Sequence, residues 1–557
     1  MFINTKFNQI DYMNYPINDF FFDKFSKNLH FQISLLTNKY NFDFIFIKFN
    51  LMELFIFVFF LFNIIYFLFF NKNNLKTQIF FLKKLIDQHL FFFIIFFIFY
   101  LNSKMEEINL LNQNFFFKHI NFFNSINSIF CDGISLSFIF LTLFIFLLIY
   151  IYIHQKITSE INIYGNIQTN NLKNLNQTII CLFLIEFFTI ACFLVTDAIL
   201  FYIFFEALLF PMYALMIFNG SRERKIRASY LLFMYTIFGS LFLLIGLIGL
   251  LYFTGTSDIL LMKEILSQIY ITNNTFNLNI IWICLFLGFA VKIPMMPFHI
   301  WLPEAHVEAP TIGSVILAAL LLKLGGYGML RFCLFLLPQE SKYFAFFPIA
   351  LALTGMLSAT FSAISQTDMK RIIAYSSIAH MNIVIFGFFC NQNLLALPAA
   401  IYQMISHGLI SSALFFLIGH IYEQTHTRNI WYYGGLISKL PNFTALLFFF
   451  TCANMGLPFT SAFIGEFLLL TSIFSYNWFA GLIAFLSTIG TSIYGLWMFT
   501  RMSGGDYKPI LNDNILKDLT GNNLLIYLIL LISVLFFGIY TTPLFQLIES
   551  ACAVYFN

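Results

Sequence analysis

Apolar residues in this chain come in runs of about twenty, separated by short polar stretches, and a run of that length crosses a bilayer as a helix. Residues 1–50 break the pattern. They are asparagine-rich and aromatic, with apolar stretches too short to span, and they predict an extension outside the membrane, either a partner-binding surface, the favoured reading, or unselected sequence. From residue 51 onward the runs predict about fourteen spans. They lie near 51–70, 79–101, 134–153, 178–194, 196–218, 228–253, 279–300, 309–331, 343–363, 370–390, 395–420, 443–470, 476–500 and 522–545. A tight turn at Thr196–Asp197 parts the fourth from the fifth. The expected fold class is all-α, a polytopic membrane protein.

Two of these spans are interrupted. The seventh breaks at KIPMMPFH, where Pro294 and Pro297 follow Lys292. Proline removes a backbone donor and ends or kinks a helix. The twelfth carries Gly456 and Pro458 mid-segment. Broken helices at membrane depth occur only where they are enclosed by protein or line a cavity. The two breaks lie five spans apart and cross the membrane in opposite senses, the pattern of inverted-topology repeats. The expected organisation is an extension (1–50), three spans with a loop (51–177), a first five-helix repeat (178–331), a second (343–500), and a last span with a short tail (501–557).

Lysine and arginine fall mostly after odd-numbered spans, as at Lys72, Lys83, Lys156, Arg222, Arg227, Lys370, Arg428 and Arg501, against Lys104, Lys118, Lys263, Arg331 and Lys342 after even ones. The positive-inside rule then places the odd loops on the matrix or cytoplasmic side and both termini on the other.

Composition supports the membrane reading and narrows the chemistry. The chain is 60% hydrophobic and 20% aromatic, with 10% charged residues, where soluble domains carry about 25% charged. The net charge of +3 is spread over loops, and the densest basic cluster, RERKIR at 222–227, is too short to suggest nucleic acid. Eight cysteines contain no CxxC pair and read as small buried hydrophobes rather than iron–sulfur or zinc ligands. No GxGxxG or GxxxxGK[ST] phosphate-binding motif occurs. Eighty phenylalanines, no arginine before Arg222, and acids at Asp11, Asp19 and Asp23 predict an organelle-encoded chain rather than an imported one.

Ionisable groups inside the spans carry the candidate function, because a charge at bilayer depth costs about 2.5–3.5 kcal/mol on insertion scales. Glu206 lies mid-span in FYIFFEALLFPMY, either as a structural pair or on a proton or ion path. Lys292, at the seventh-span break, is its natural partner, and a buried Glu–Lys pair is a coupled switch. Lys323 follows in LLLKLGGYG, beside glycines that leave room for water or backbone. Glu466 sits just past the second break in FIGEFLLL, as the end of a path or as a hinge group. His407 and His380 are relays or satisfied core histidines. Glu186 is a possible side branch, and His299 would share a face with Lys292 if the helix held through the prolines. Together these groups predict a proton-conducting membrane protein with no cofactor or metal of its own.

At these residues the sequence resembles the antiporter-like subunits of respiratory NADH:ubiquinone oxidoreductase, complex I. The resemblance rests on VKIPMMPFHIWLPEAHVEAP with GSVILAALLLKLGGYGMLRF, on LFYIFFEALLFPMY with GSRERKIRASY, and on QTDMKRIIAYSSIAHMN, MISHGLISSALFFLIGHIYEQTHTR and GLPFTSAFIGEF, which follow one another along the chain in the same order as in that family, with CDGISLSFIFLTLF opening the third span. It covers roughly 130–505. An acid at Glu466 resembles the subunit-four type, where the other two types usually have lysine. The resemblance implies proton uptake at Glu206–Lys292, relay through Lys323, and transfer through His407 to Glu466. It also implies NADH, flavin and clusters on other chains, neighbouring antiporter-like and supernumerary subunits and lipids as partners, and the mitochondrial inner membrane as location. A multi-subunit cation/proton antiporter shares the fold and the lysines and is the alternative.

Overall fold

A computed structural model describes residues 83–91, 94, 132–164, 169–220, 222–271, 276–390, 395–508 and 516–556 of the chain. The extension at 1–50, the first predicted span and most of the second lie outside the described residues.

The described chain is helical throughout. After a helical segment at 83–91 come α1 (Gly133–Tyr164), α2 (Thr169–Leu194), α3 (Ala198–Ala207), α4 (Leu209–Asn219), α5 (Lys225–Thr254), α6 (Ile259–Ile271), α7 (Phe276–Lys292) and α8 (Trp301–Glu308). The long α9 (Thr311–Leu336) follows. Beyond it lie α10 (Pro338–Tyr343), α11 (Phe346–Ser365), α12 (Met369–Phe389), α13 (Ala396–Thr425), α14 (Leu436–Lys439), α15 (Pro441–Asn454), α16 (Ser461–Tyr476), α17 (Trp478–Ser503), α18 (Asn522–Ile539) and α19 (Thr542–Phe556). Ten described helices are long and apolar enough to cross a membrane, and two shorter apolar ones, Asn277–Lys292 and Ser461–Tyr476, belong to the interrupted spans. They correspond to predicted spans three to fourteen.

Both predicted interruptions are present. The seventh span stops at Lys292, turns through Ile293–Ile300, and resumes as α8. The twelfth stops at Asn454 and resumes at Ser461, with Gly456 at φ +75°. Only a residue without a Cβ takes that conformation freely. A further irregularity was not predicted: α9 contains π-helical stretches at Leu317–Leu321 and Met329–Leu336, on either side of Lys323. Such insertions free backbone carbonyls and recur at functional sites.

Two isolated backbone bridges pin the starts of α3 and α12, Asp197 with Asp258 and Asp368 with Asn429. Asp197 also caps α3, accepting from the amides of Ile199 and Leu200 at 2.8 and 3.1 Å. Such a cap satisfies donors that a helix start leaves open.

Burial sorts the helices. In α9, α12 and α13, 94% of the most apolar stretch is buried within the protein, against 39% in α5 and 33% in α18. Charges on the first three therefore face protein rather than lipid.

Candidate functional site

Lys323 stands near the middle of α9 and is completely buried. Its Nζ donates to the Ala318 carbonyl at 2.5 Å, an oxygen of the preceding π-helical stretch, and to His407 Nδ1 on α13 at 2.9 Å. Since the lysine donates, His407 Nδ1 is the acceptor. The His407 ring faces the His380 ring of α12, with centroids 5.4 Å apart. His380 Nδ1 lies 3.0 Å from Glu466 Oε1 of α16. Gln403 donates to that same oxygen at 3.0 Å, and Ser406 in turn donates to Gln403 Oε1 at 3.1 Å. The Nε2 atoms of both histidines have no hydrogen-bond partner, and His380 Nδ1 meets Glu466 at ion-pair distance without hydrogen-bond geometry. Lys323, His407, His380 and Glu466 thus form a continuous line across four helices. Gly456 shapes its end: a Cβ there would stand 2.8 Å from Glu466 Oε2.

Glu206 and Lys292 are arranged more loosely. They lie within electrostatic range of each other, yet Lys292 Nζ and Glu206 Oε1 have no hydrogen-bond partner. The Lys292 ammonium instead rests over the Phe205 ring, 4.3 Å from its centroid. The α7 break brings Lys292 against α9, since a Cβ on Gly325 would meet Lys292 Cβ at 3.2 Å.

The remaining candidates separate from the line. His299 lies in the turn after Pro297, partly exposed, and its Nδ1 has no partner. The helix ends at Lys292, so the face that Lys292 and His299 would share does not form. Glu186 on α2 is buried against His89, at 2.9 Å, and accepts from the Tyr150 hydroxyl at 3.1 Å.

Two features give no signal of this kind in the sequence. His306, on α8, is fully buried and stacked on Phe415, ring centroids 4.7 Å apart and 3° from parallel. Neither of its ring nitrogens has a hydrogen-bond partner, and it lies within electrostatic range of Lys323 and Lys370. Its flanking acids, Glu304 and Glu308, make the stretch look like a solvated loop. Lys370 and Arg428, read from sequence as loop charges, are each only 2% exposed. Lys370 donates to the Ala309 carbonyl at 2.9 Å. Arg428 donates to the Val307 carbonyl and pairs with Glu308 at 3.4 Å. Burial pulls the Arg428 guanidinium below its usual range, and Glu308 opposes that shift. Both cations therefore fasten the end of α8. Among the described residues, no group of three or more His, Cys, Asp or Glu is placed to hold a metal.

Residues 195–492 match the family described as NADH:quinone oxidoreductase/Mrp antiporter, transmembrane. The chain belongs to this family. The match spans α3 through most of α17 and so contains every member of the line. Among curated relatives, NADH-ubiquinone oxidoreductase chain 4 of Arabidopsis thaliana is 42% identical over 427 residues, 76% of this chain and 80% of its own. Chain 4 of Marchantia polymorpha is 42% identical over 428 residues, with the same coverage. Chain 4 of Acanthamoeba castellanii is 38% identical over 459 residues, 82% of this chain and 87% of its own. Two solved structures share the fold. A chain of respiratory complex I from Thermus thermophilus with bound NADH gives a TM-score of 0.69 at 24% identity, covering 84% of this chain and 94% of that one. A chain of the Mrp complex from Dietzia sp. DQ12-45-1b gives 0.66 at 19% identity, covering 79% and 87%.

Proposed function

We propose that this chain is a proton-translocating membrane-arm subunit of an NADH:ubiquinone oxidoreductase, the counterpart of chain 4 in its relatives. The observation that carries this reading is the line from Lys323 through His407 and His380 to Glu466. Each member can hold a proton, and each junction is a hydrogen bond, an ion-pair contact or two facing imidazoles.

The steps follow from the atoms. A protonated Lys323 gives a proton to His407 Nδ1. The imidazolium releases its other proton from Nε2, which returns the ring to neutrality. His380 receives that proton on Nε2 and delivers one from Nδ1 to Glu466 Oε1. Gln403, donating to Glu466, holds the carboxylate as a fixed acceptor. Histidine suits the two middle positions because its two nitrogens accept and release at opposite ends of the ring. Glu206 and Lys292 form the uptake pair. Their charges attract without a hydrogen bond, so the separation between them can change and bias Lys323 through Coulomb interaction.

The chain supplies the proton route, and quinone reduction elsewhere in the complex drives it. NADH, flavin and the clusters belong to other subunits. Its partners are neighbouring antiporter-like subunits, supernumerary subunits and lipids. The protein is a multi-pass membrane protein, and its chain 4 relatives support the mitochondrial inner membrane as its location. Both termini are assigned to the intermembrane-space side and its gene to the organelle. The fold alone fits a cation/proton antiporter subunit equally well, and the sequence identity to chain 4 relatives favours the oxidoreductase.

Native-gel separation of the mitochondrial membranes tests the assignment. The chain should migrate in a large assembly with NADH dehydrogenase activity, and migration in a small hydrophobic complex lacking it would overturn the reading. Within that assembly, Glu206→Gln and Lys292→Ala should sharply lower coupled turnover while leaving assembly intact. Wild-type rates in both would remove the uptake role.

A further inference from the structure

The proposed relay needs insulation as well as conduction: protons at Glu206 and Lys292 must not pass straight across the membrane. The structure places a layer of aromatic rings where that insulation is needed. Phe138 of α1 packs on Phe193 of α2 at 5.3 Å between centroids, and Phe193 meets Tyr327 of α9 at 5.1 Å. Phe201 of α3 lies 6.4 Å from Tyr327 and 5.0 Å from Phe332, and Phe332 stacks on Phe289 of α7 at 5.9 Å. All six are buried. The layer is continuous across the helices that carry the first pair and the central lysine.

Its position follows from the run of each helix. On α3, Phe201 lies between the Thr196–Asp197 turn and Glu206. On α7, Phe289 stands about one turn before Lys292, toward the helix start next to α6. On α9, Tyr327 and Phe332 lie beyond Lys323 toward Leu336. The α3 start, α6 and the end of α9 gather at one face: Asp197 bridges to Asp258 just before α6, and Lys263 of α6 covers the Phe335 ring at 4.0 Å. On every helix, then, the ring separates the charge from that same face.

The other side of the layer is polar. Arg331 pairs with Asp132 at 2.5 Å and donates to Ser135 at 3.2 Å, and Tyr327 shares a hydrogen bond with Ser135 at 3.1 Å. The Tyr327 hydroxyl also donates to the Phe193 carbonyl at 3.1 Å, so both of its bonds are made within this polar group and the layer. A cavity of about 20 Å³, bordered by Thr196, Tyr327 and Arg331, extends to the layer. That volume admits one water. Beyond it the five phenylalanine rings offer no donor or acceptor, the Tyr327 hydroxyl being already bonded to Ser135 and to the Phe193 carbonyl, and apolar constrictions block permeation by excluding water.

We propose that this aromatic layer is a proton seal, which keeps the Glu206–Lys292 pair from exchanging protons with the Asp132 face and so commits them to the lateral path through Lys323. Gly328 is built for the seal, because a Cβ there would run into the Phe289 ring. The proposal rests on the relay reading above, and its test is a leak that does not depend on relay turnover.

The test uses the whole complex in proteoliposomes, without NADH, with an imposed pH difference and a fluorescent pH probe inside. Phe201→Ala and Phe332→Ala should dissipate the difference faster than wild type. Phe201→Leu and Phe332→Leu, which leave smaller gaps, should give an intermediate leak. Phe361→Ala, on the exposed face of α11 (68% exposed), is the control and should match wild type. With NADH and quinone, the two alanine variants should keep oxidising NADH but lose stimulation by an uncoupler. Leucine variants that leak no faster than wild type overturn the seal, even where the alanine variants fail to assemble. A leak equal to that of Phe361→Ala overturns it as well. A relay failure reads differently: turnover falls in Glu206→Gln while the pH difference holds.

Discussion

Lys323 reaches Glu466 through two imidazoles, and each junction can be cut by one substitution. His407→Ala should remove the acceptor that Lys323 contacts at 2.9 Å, and the loss of a positioned proton carrier costs about 10²-fold in the transfer step. The check is proton uptake by energised vesicles, with assembly confirmed on a native gel. The lysines and acids of the site are legible in sequence because a charge inside an apolar run is costly and is kept there for function. Glu206, Lys292, Lys323 and Glu466 all announce themselves this way. The histidines do not. A histidine in such a run is equally a satisfied core group, and only a contact far along the chain, Glu466 beside His380, favours the proposed relay. His306 gives less warning still, because two acids within two residues on either side disguise a fully buried ring.

Among the elements, the two interruptions matter most, and each depends on local chemistry that can be disturbed. Gly456 combines φ +75° with a carboxylate oxygen where a Cβ would reach to 2.8 Å. Gly456→Ala should therefore cost about 1–2 kcal/mol for the left-handed backbone alone. A lower melting temperature of the assembled complex, together with reduced coupling, is the expected result. At the other break, α8 is fastened by Arg428 to the Val307 carbonyl and to Glu308. Arg428→Ala leaves the buried Glu308 carboxylate without its ion-pair partner and with Lys370 still in electrostatic range, and breaking such pairs costs up to about 3–5 kcal/mol. Thermal inactivation should come earlier than in wild type, while Arg428→Lys should recover only part of the loss because the fork geometry is gone. Both breaks are legible in sequence from proline and glycine inside apolar runs. The π-helical stretches of α9 are not, since Leu317–Leu321 is composed only of good helix formers. The prolines that mark the seventh-span break also explain why His299 lies apart from Lys292, since the helix ends at Lys292.

At the scale of the whole molecule, the described helices divide into an interior that carries the buried charges and an apolar jacket. The proposed line of transfer runs from α9 through α13 and α12, the most enclosed of the described spans, to Glu466 on α16, while α5 turns Tyr230, Met234, Phe238, Leu241, Ile245 and Ile248 outward. Outward residues at helical spacing suit lipid or a neighbouring subunit equally. The spans from the third onward are legible in sequence because length and apolarity alone mark them. What length and apolarity cannot show is which spans lie inside and which outside, as both are apolar, and that ordering sets the route. The central claim is that protons move laterally along Lys323, His407, His380 and Glu466. The most direct test is the number of protons translocated per NADH oxidised by the assembled complex carrying His380→Ala. A fall in that ratio, or in turnover itself, is expected with assembly unchanged; a wild-type ratio at a wild-type rate would contradict the lateral route.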